Sequence, residues 1–274
     1  MCVPGCLEHV HDRLASRRQL FRGAVATAAA TAAASLPIAP ALAAEPRSFS
    51  RVVDLTHPLG PDFPTFFGKP QLELEVMASY DKQKYNMLKW SVVEHTGTHL
   101  DAPFHFSADG PTADKIPVDK LVVPVVVIDI AQRAQDDADA QVTPDDVRAF
   151  EARHGTIPAG ACVAMRSGWD RLVNEPKFRN TDDKGGLHFP GFHVEAAKLL
   201  QERDVAGIAV DTLSLDHGAS PDFATHYSWL PSGRWGIECI ANLGELPATG
   251  ATLVLGGPTI VGSTGGPSRV LALV

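Results

Sequence analysis

At 274 residues, 45% of them hydrophobic and 20% charged, the chain has the composition of a soluble globular protein and is long enough to bury a full-sized core. Its formal net charge of -8 argues against nucleic acid as a partner, because an acidic surface repels a polyanion.

The first forty-odd residues stand apart. Ser16-Arg17-Arg18-Gln19-Leu20-Phe21-Arg22 precedes an Ala- and Thr-rich stretch and then Ala41-Leu42-Ala43-Ala44. A charged region, a weakly apolar region and a small-residue cleavage site in that order describe an export signal over residues 1–44, and the paired arginines point to the twin-arginine type. The expected location is periplasmic or secreted. A stable membrane anchor is not expected, because Thr27, Thr31, Ser35, Pro37 and Pro40 interrupt an apolar stretch made mostly of alanine. Cleavage after Ala43 removes four basic and two acidic residues, leaving 20 Lys+Arg against 30 Asp+Glu and a net charge of -10. It also removes Cys2 and Cys6. Cys162 and Cys239 then remain in apolar runs, where two buried thiols are expected and one disulfide is the alternative.

Residues 45–274 read as a single α/β domain. In chain order, Arg51–Leu55 and Leu72–Met77 have strand patterns, separated by a Pro- and Phe-rich segment from Pro58 to Pro70 that is too rich in turn formers for a helix. Trp90–His95 reads as a strand entering a histidine cluster, and Leu121–Ile130 as a buried strand. Thr143 is placed to cap a helix that starts at Pro144 and stops at Gly155. Strands are expected at Ala161–Arg166, Gly207–Asp211 and Thr252–Leu255, with a second helix over Val194–Arg203.

The chemistry concentrates in His95-Thr-Gly-Thr-His99-Leu-Asp101-Ala-Pro-Phe-His105. If this segment is extended, His95, Gly97, His99 and Asp101 share one face, so two imidazoles and a carboxylate converge beside a residue with no side chain. That donor set suits zinc, manganese or iron, and the carboxylate can bridge two ions. Pro103 ends the strand, so His105 is expected to turn back toward the pocket as an acid/base rather than a ligand. Alone, Glu238 reads as a buried or paired carboxylate and His226 as a loop histidine. His57 is a candidate pocket residue, whereas His154, His188, His193 and His217 read as structural.

The spacing His95-x-Gly-Thr-His99-x-Asp101-x-Pro-x-His105 resembles the signature of the bacterial kynurenine formamidase and cyclase family, which includes isatin hydrolase. The resemblance runs from Val53-Asp-Leu-Thr-His-Pro-Leu59 to Gly265-Gly-Pro-Ser-Arg269. It implies a mixed β-sheet closing toward a barrel with flanking helices and a homo-oligomer, dimeric or larger. It further implies two divalent ions, zinc or manganese, held by His95, His99 and bridging Asp101. His226 and Glu238, twelve residues apart, complete the second position, and His105 is the acid/base.

The implied reaction is hydrolysis of an amide or lactam bond in a small aromatic substrate, with Phe66 and Phe67 as candidate substrate contacts. Kynurenine formamidases carry a tryptophan followed by Pro-Gly-Asp where Phe66-Phe67-Gly68-Lys69 stands here. Two other readings stay open: a cyclase or dehydratase using the same Lewis-acid pocket, and a non-catalytic periplasmic metal- or ligand-binding protein.

Overall fold

Alternate residues of the Val/Ile run enter two different cores, which is the signature of a strand buried on both faces. Val123, Val125 and Val127 join one hydrophobic cluster, and Val126 and Ile128 the other. This strand is β5 (Val122–Asp129) of a computed structural model that describes residues 48–274. The proposed export signal lies outside the described residues.

The other strands of the main sheet are β1 (Val52–Asp54), β4 (His99–Asp101), β7 (Cys162–Arg166), β9 (Gly207–Val210), β10 (Trp235–Glu238), β11 (Ala251–Gly256), β12 (Gly265–Pro267) and β13 (Arg269–Leu273). Their order is β1-β13-β11-β5-β7-β9-β10-β4-β12. β5, β7, β9 and β10 form a parallel centre, flanked by antiparallel pairs on both sides.

One face of this sheet is covered by helices α3 (Pro144–His154) and α4 (Val194–Glu202), which contribute Val147, Phe150, Ala196 and Leu200 to the core. Over the other face the sheet curls on itself into a half-barrel, so that Val125 shares a core with Leu253, Val270 and Ile237. The expected mixed α/β architecture closing toward a barrel is what the fold shows. Short helices α1 (Tyr80–Gln83), α2 (Ala131–Asp136) and α5 (Ala224–Trp229), and the minor pair β6 (Gln141–Val142) and β8 (Gly191–Phe192), complete the regular structure. Among the described residues, no helix is long and apolar enough to cross a membrane.

Local chemistry explains the helix ends. The Thr143 hydroxyl accepts from the Asp146 backbone N–H while the Asp146 carboxylate accepts from the Thr143 N–H, a reciprocal cap on α3. Gly155 follows at a φ of 88°.

One expected strand falls elsewhere. Met87–Val92 (β3) pairs with Leu72–Ala78 (β2) in a separate hairpin, and the chain leaves that ladder before reaching His95. The Thr96 hydroxyl donates to the Val93 carbonyl, and Gly97 adopts a φ of 69°, so residues 93–98 form a bend rather than an extended entry.

The central ladder is tight where β9 meets β10. A Cβ on Gly207 would lie 2.2 Å from the buried Trp235 ring. Gly207→Ala is expected to destabilise the chain by about 1–3 kcal/mol through overpacking, seen as a lower urea midpoint with an unchanged m-value.

Candidate metal centre

Sheet register assembles the site. In the antiparallel pairing of β4 with β10, Glu238 lies opposite His99 and Gly236 opposite Asp101; β12 places Gly265 on the other side of Asp101. The buried Asp101 carboxylate is thus flanked by two residues without side chains. A Cβ on Gly236 would lie 3.4 Å from Asp101 Oδ2, and one on Gly265 3.0 Å from His95 Cε1. His226 comes from α5, so the reading of a loop histidine is corrected: a helical turn carries it inward, where it is buried.

Two triads share Asp101: His95–His99–Asp101 and Asp101–His226–Glu238, each with ligand atoms within 4.8 Å of one another. His95 Nδ1 lies 2.7 Å from Asp101 Oδ1, and His99 Nε2 lies 3.3 Å from the same oxygen and 3.4 Å from Glu238 Oε2. His226 Nε2 sits 3.2 Å from Glu238 Oε1 and 3.8 Å from Asp101 Oδ2.

Hydrogen bonds at the far ring nitrogens orient the imidazoles. His99 Nδ1–H donates to the Gly97 carbonyl at 2.8 Å, and His226 Nδ1–H to Asp216 Oδ2 at 2.6 Å. Both rings therefore turn Nε2 toward the carboxylates, where an ion displaces its proton. His99 Nε2 and Asp101 Oδ2 are buried without a hydrogen-bond partner. Atoms this close to opposite charge yet unpartnered are what a cation-shaped gap between them leaves, and an imidazole–carboxylate donor set fits a divalent transition ion.

The electrostatics agree. Burial works against charge on His99, but Asp101 and Glu238 outweigh it and raise its pKa to about 10. Burial also opposes charge on His226, but the surrounding Asp101, Asp216 and Glu238 carboxylates lift it well above the usual histidine range. The Asp101 carboxyl, against its own burial, is held well below the usual range by the charge on His99 and by the adjacent His226 and His95 imidazoles. Without an ion, the cluster compensates its carboxylates with protons.

His105 lies on a 3-10 turn, Pro103–Phe106, and stacks on His95 with ring centroids 3.7 Å apart. Burial, helped by the nearby His95 and His226 and opposed by Asp101 and Glu238, pushes its pKa down to about 4. A cavity of about 400 Å3 opens above the cluster, walled by Phe66, Phe67, Phe106 and Phe223. Phe66 packs within that wall, whereas Phe67 is 72% exposed at the rim.

A family model described as "Putative cyclase" matches residues 53–217. The chain belongs to this cyclase family. An isatin hydrolase of Roseibium aggregatum is 37% identical over 242 residues, 81% of this chain and 91% of that protein. A kynurenine formamidase of Bacillus cereus is 26% identical over 197 residues, 71% of this chain and 82% of that protein. A solved isatin hydrolase bound to the product analogue thioisatinate aligns with a TM-score of 0.76 at 34% identity, covering 81% of this chain and 92% of that one.

Several residues at the cyclase site escaped the sequence reading. Asp216 accepts from His226 Nδ1 and from the backbone N–H groups of Thr225 and His226, bonds that no local motif announces. Phe223 and Cys239, beside His226 and Glu238, have φ values of 53° and 52°, which for bulky or ordinary side chains is stored strain of about 1–3 kcal/mol each. The His57 side chain lines a neighbouring cavity with Asp62 and Glu175 instead of the aromatic pocket. His193 caps α4, and His188 pairs with Asp139. Cys162 and Cys239 are both free and buried, so the disulfide alternative is withdrawn in favour of two thiols.

Because His99 and His226 have raised pKa values, they carry protons in the ion-free fold at neutral pH. That contribution to ion-free stability is complete below the unfolded histidine value and is lost as pH rises through about 10 for His99. Loading an ion must expel these protons, so affinity falls as pH falls. Titration calorimetry at pH 7 in buffers of differing ionisation enthalpy is expected to show net proton release on manganese or zinc uptake; absence of release contradicts this electrostatic account.

Proposed function

We propose that this cyclase-family chain is a metal-dependent hydrolase that opens the lactam of an isatin-like aryl substrate. The observation that carries the reading is a buried cluster of two carboxylates and three imidazoles at the floor of an aromatic-walled cavity. The 37% identity to an isatin hydrolase supports the substrate class. His95, His99, Asp101, His226 and Glu238 would hold one or two divalent ions, zinc or manganese. When bound, such ions polarise a carbonyl oxygen and acidify water.

The protein's own part is positioning and proton transfer. The Phe66, Phe106 and Phe223 rings stack on and orient a flat substrate and exclude bulk water from it. His105, neutral in the ion-free chain and stacked beside His95, accepts a proton from water as the water oxygen bonds to the carbonyl carbon. It returns that proton to the departing lactam nitrogen as the C–N bond breaks. Water is thereby added across the bond, leaving a carboxylate and an aromatic amine on one molecule. Cys239 lines the cavity, but burial first, then Glu238, Asp101 and Asp211, push its thiol well above the ordinary range, so a thiolate nucleophile is disfavoured.

Amide hydrolysis of the kynurenine formamidase kind is the second reading, supported by the relative at 26% identity. The Phe66-Phe67-Gly68-Lys69 segment, which departs from the formamidase pattern, favours the lactam. We also propose export of the chain, resting on the Arg17-Arg18 leader pattern.

His105→Ala is expected to lower kcat on isatin by about 10²–10⁴-fold while ion content stays unchanged. Parallel assays on isatin and N-formylkynurenine, with metal analysis of each preparation, check both the role and the choice of substrate. Full activity in the variant removes His105 from the mechanism, and turnover of N-formylkynurenine alone reverses the ranking of substrates.

A further inference from the structure

His95 is held unlike the other two imidazoles, and the difference traces to a residue outside the cluster. The Thr264 N–H lies 3.3 Å from each carboxylate oxygen of Glu94, and the Thr264 hydroxyl donates to Glu94 Oε2. A threonine hydroxyl has one proton, and here it is committed to an acceptor-only carboxylate. What Thr264 Oγ1 offers His95 Nε2, 2.8 Å away, is therefore a lone pair, so Nε2 carries the ring N–H. The nitrogen facing Asp101 Oδ1 at 2.7 Å is then Nδ1. In a neutral ring that is two acceptors face to face, an arrangement that requires a shared proton or a cation beside them.

We infer that Glu94, acting through Thr264, is a positioning residue that fixes His95 as the Nε2–H tautomer and commits its Nδ1 lone pair to the ion. The inference rests on the metal-dependent reading above. With the opposite tautomer, Nδ1–H would donate to Asp101, satisfying the carboxylate internally and removing one donor from the site. Glu94 thus biases the cluster toward coordination and away from a self-sealing hydrogen bond.

The geometry is built in by the fold. Ala102, directly after β4, donates its N–H to the Thr264 carbonyl at 2.8 Å, which ties the relay to the strand carrying Asp101. Gly265, next to Thr264, lies opposite Asp101 and leaves room for the His95 ring edge. Glu94 adjoins His95 in the chain, yet its carboxylate is bonded to Thr264 and belongs to neither triad of the cluster.

The test uses the chelator-stripped full chain and three variants. Thr264→Val removes the hydroxyl, Thr264→Ser restores it, and Glu94→Gln keeps the shape but adds an amide donor that can reverse the hydroxyl. Free manganese measured by electron paramagnetic resonance gives affinity, and 15N shifts of the zinc-loaded protein report which His95 nitrogen coordinates. Thr264→Val and Glu94→Gln are expected to weaken manganese binding by about 10–100-fold, the usual cost of losing a ligand's supporting partner. They are also expected to shift His95 away from Nδ1 coordination, and Thr264→Ser to recover both readouts. Wild-type affinity with Nδ1 coordination retained in Thr264→Val and Glu94→Gln overturns the assignment while leaving the metal reading intact. A wild-type chain that takes up no ion overturns both.

Discussion

Two carboxylates buried against three imidazoles cannot remain charged without positive compensation, and much of the local architecture follows from this constraint. Asp101 is fully buried and Glu238 nearly so. Removing such groups from water unpaired would cost several kcal/mol each. The chain answers with a shared centre: Asp101 belongs to both triads, and each is completed by histidines whose far nitrogens are already engaged. Protons fill the role in the ion-free chain, and the unpartnered His99 Nε2 and Asp101 Oδ2 mark where a cation fits better.

The half-barrel supplies rigidity for this arrangement. The proposed ligands on β4 and β10 are set by ladder register, which is as fixed as the hydrogen bonds of the sheet. Glycines on both sides of Asp101 keep the approach open. The proposed ligand from α5, His226, is less constrained by its own short helix, and Asp216 compensates by receiving three N–H groups from that turn. Left-handed backbone at Phe223 and Cys239 adds strain beside His226 and Glu238, where the surrounding packing has to hold it.

Much of this was legible in the sequence because the signals were local. The Val/Ile run of β5, the Thr143–Pro144 start of α3 and the Gly155 stop depend on neighbouring residues alone, and the His99–Asp101 alternation survives as β4. The bend at Gly97 was misread as extended chain because glycine tolerates both conformations and only the hairpin β2–β3 decides between them. β10, β12 and β13 were not foreseen: β10 and β12 are short and contain glycine or proline, and β13, like them, is defined by a pairing partner far away in sequence. For the same reason Asp216, Thr264 and Glu94 were invisible as a network, since their importance lies in distances across the fold and not in spacing along the chain.

The central claim, that this buried cluster uses a divalent ion to add water across a lactam, is tested most directly by turnover in isotopically labelled water. Isatin would be incubated with ion-stripped and manganese- or zinc-reloaded protein and the product mass recorded. The account predicts a ring-opened product carrying one oxygen from solvent, formed only after reloading. A product without added water, or equal turnover by stripped and reloaded protein, would contradict it.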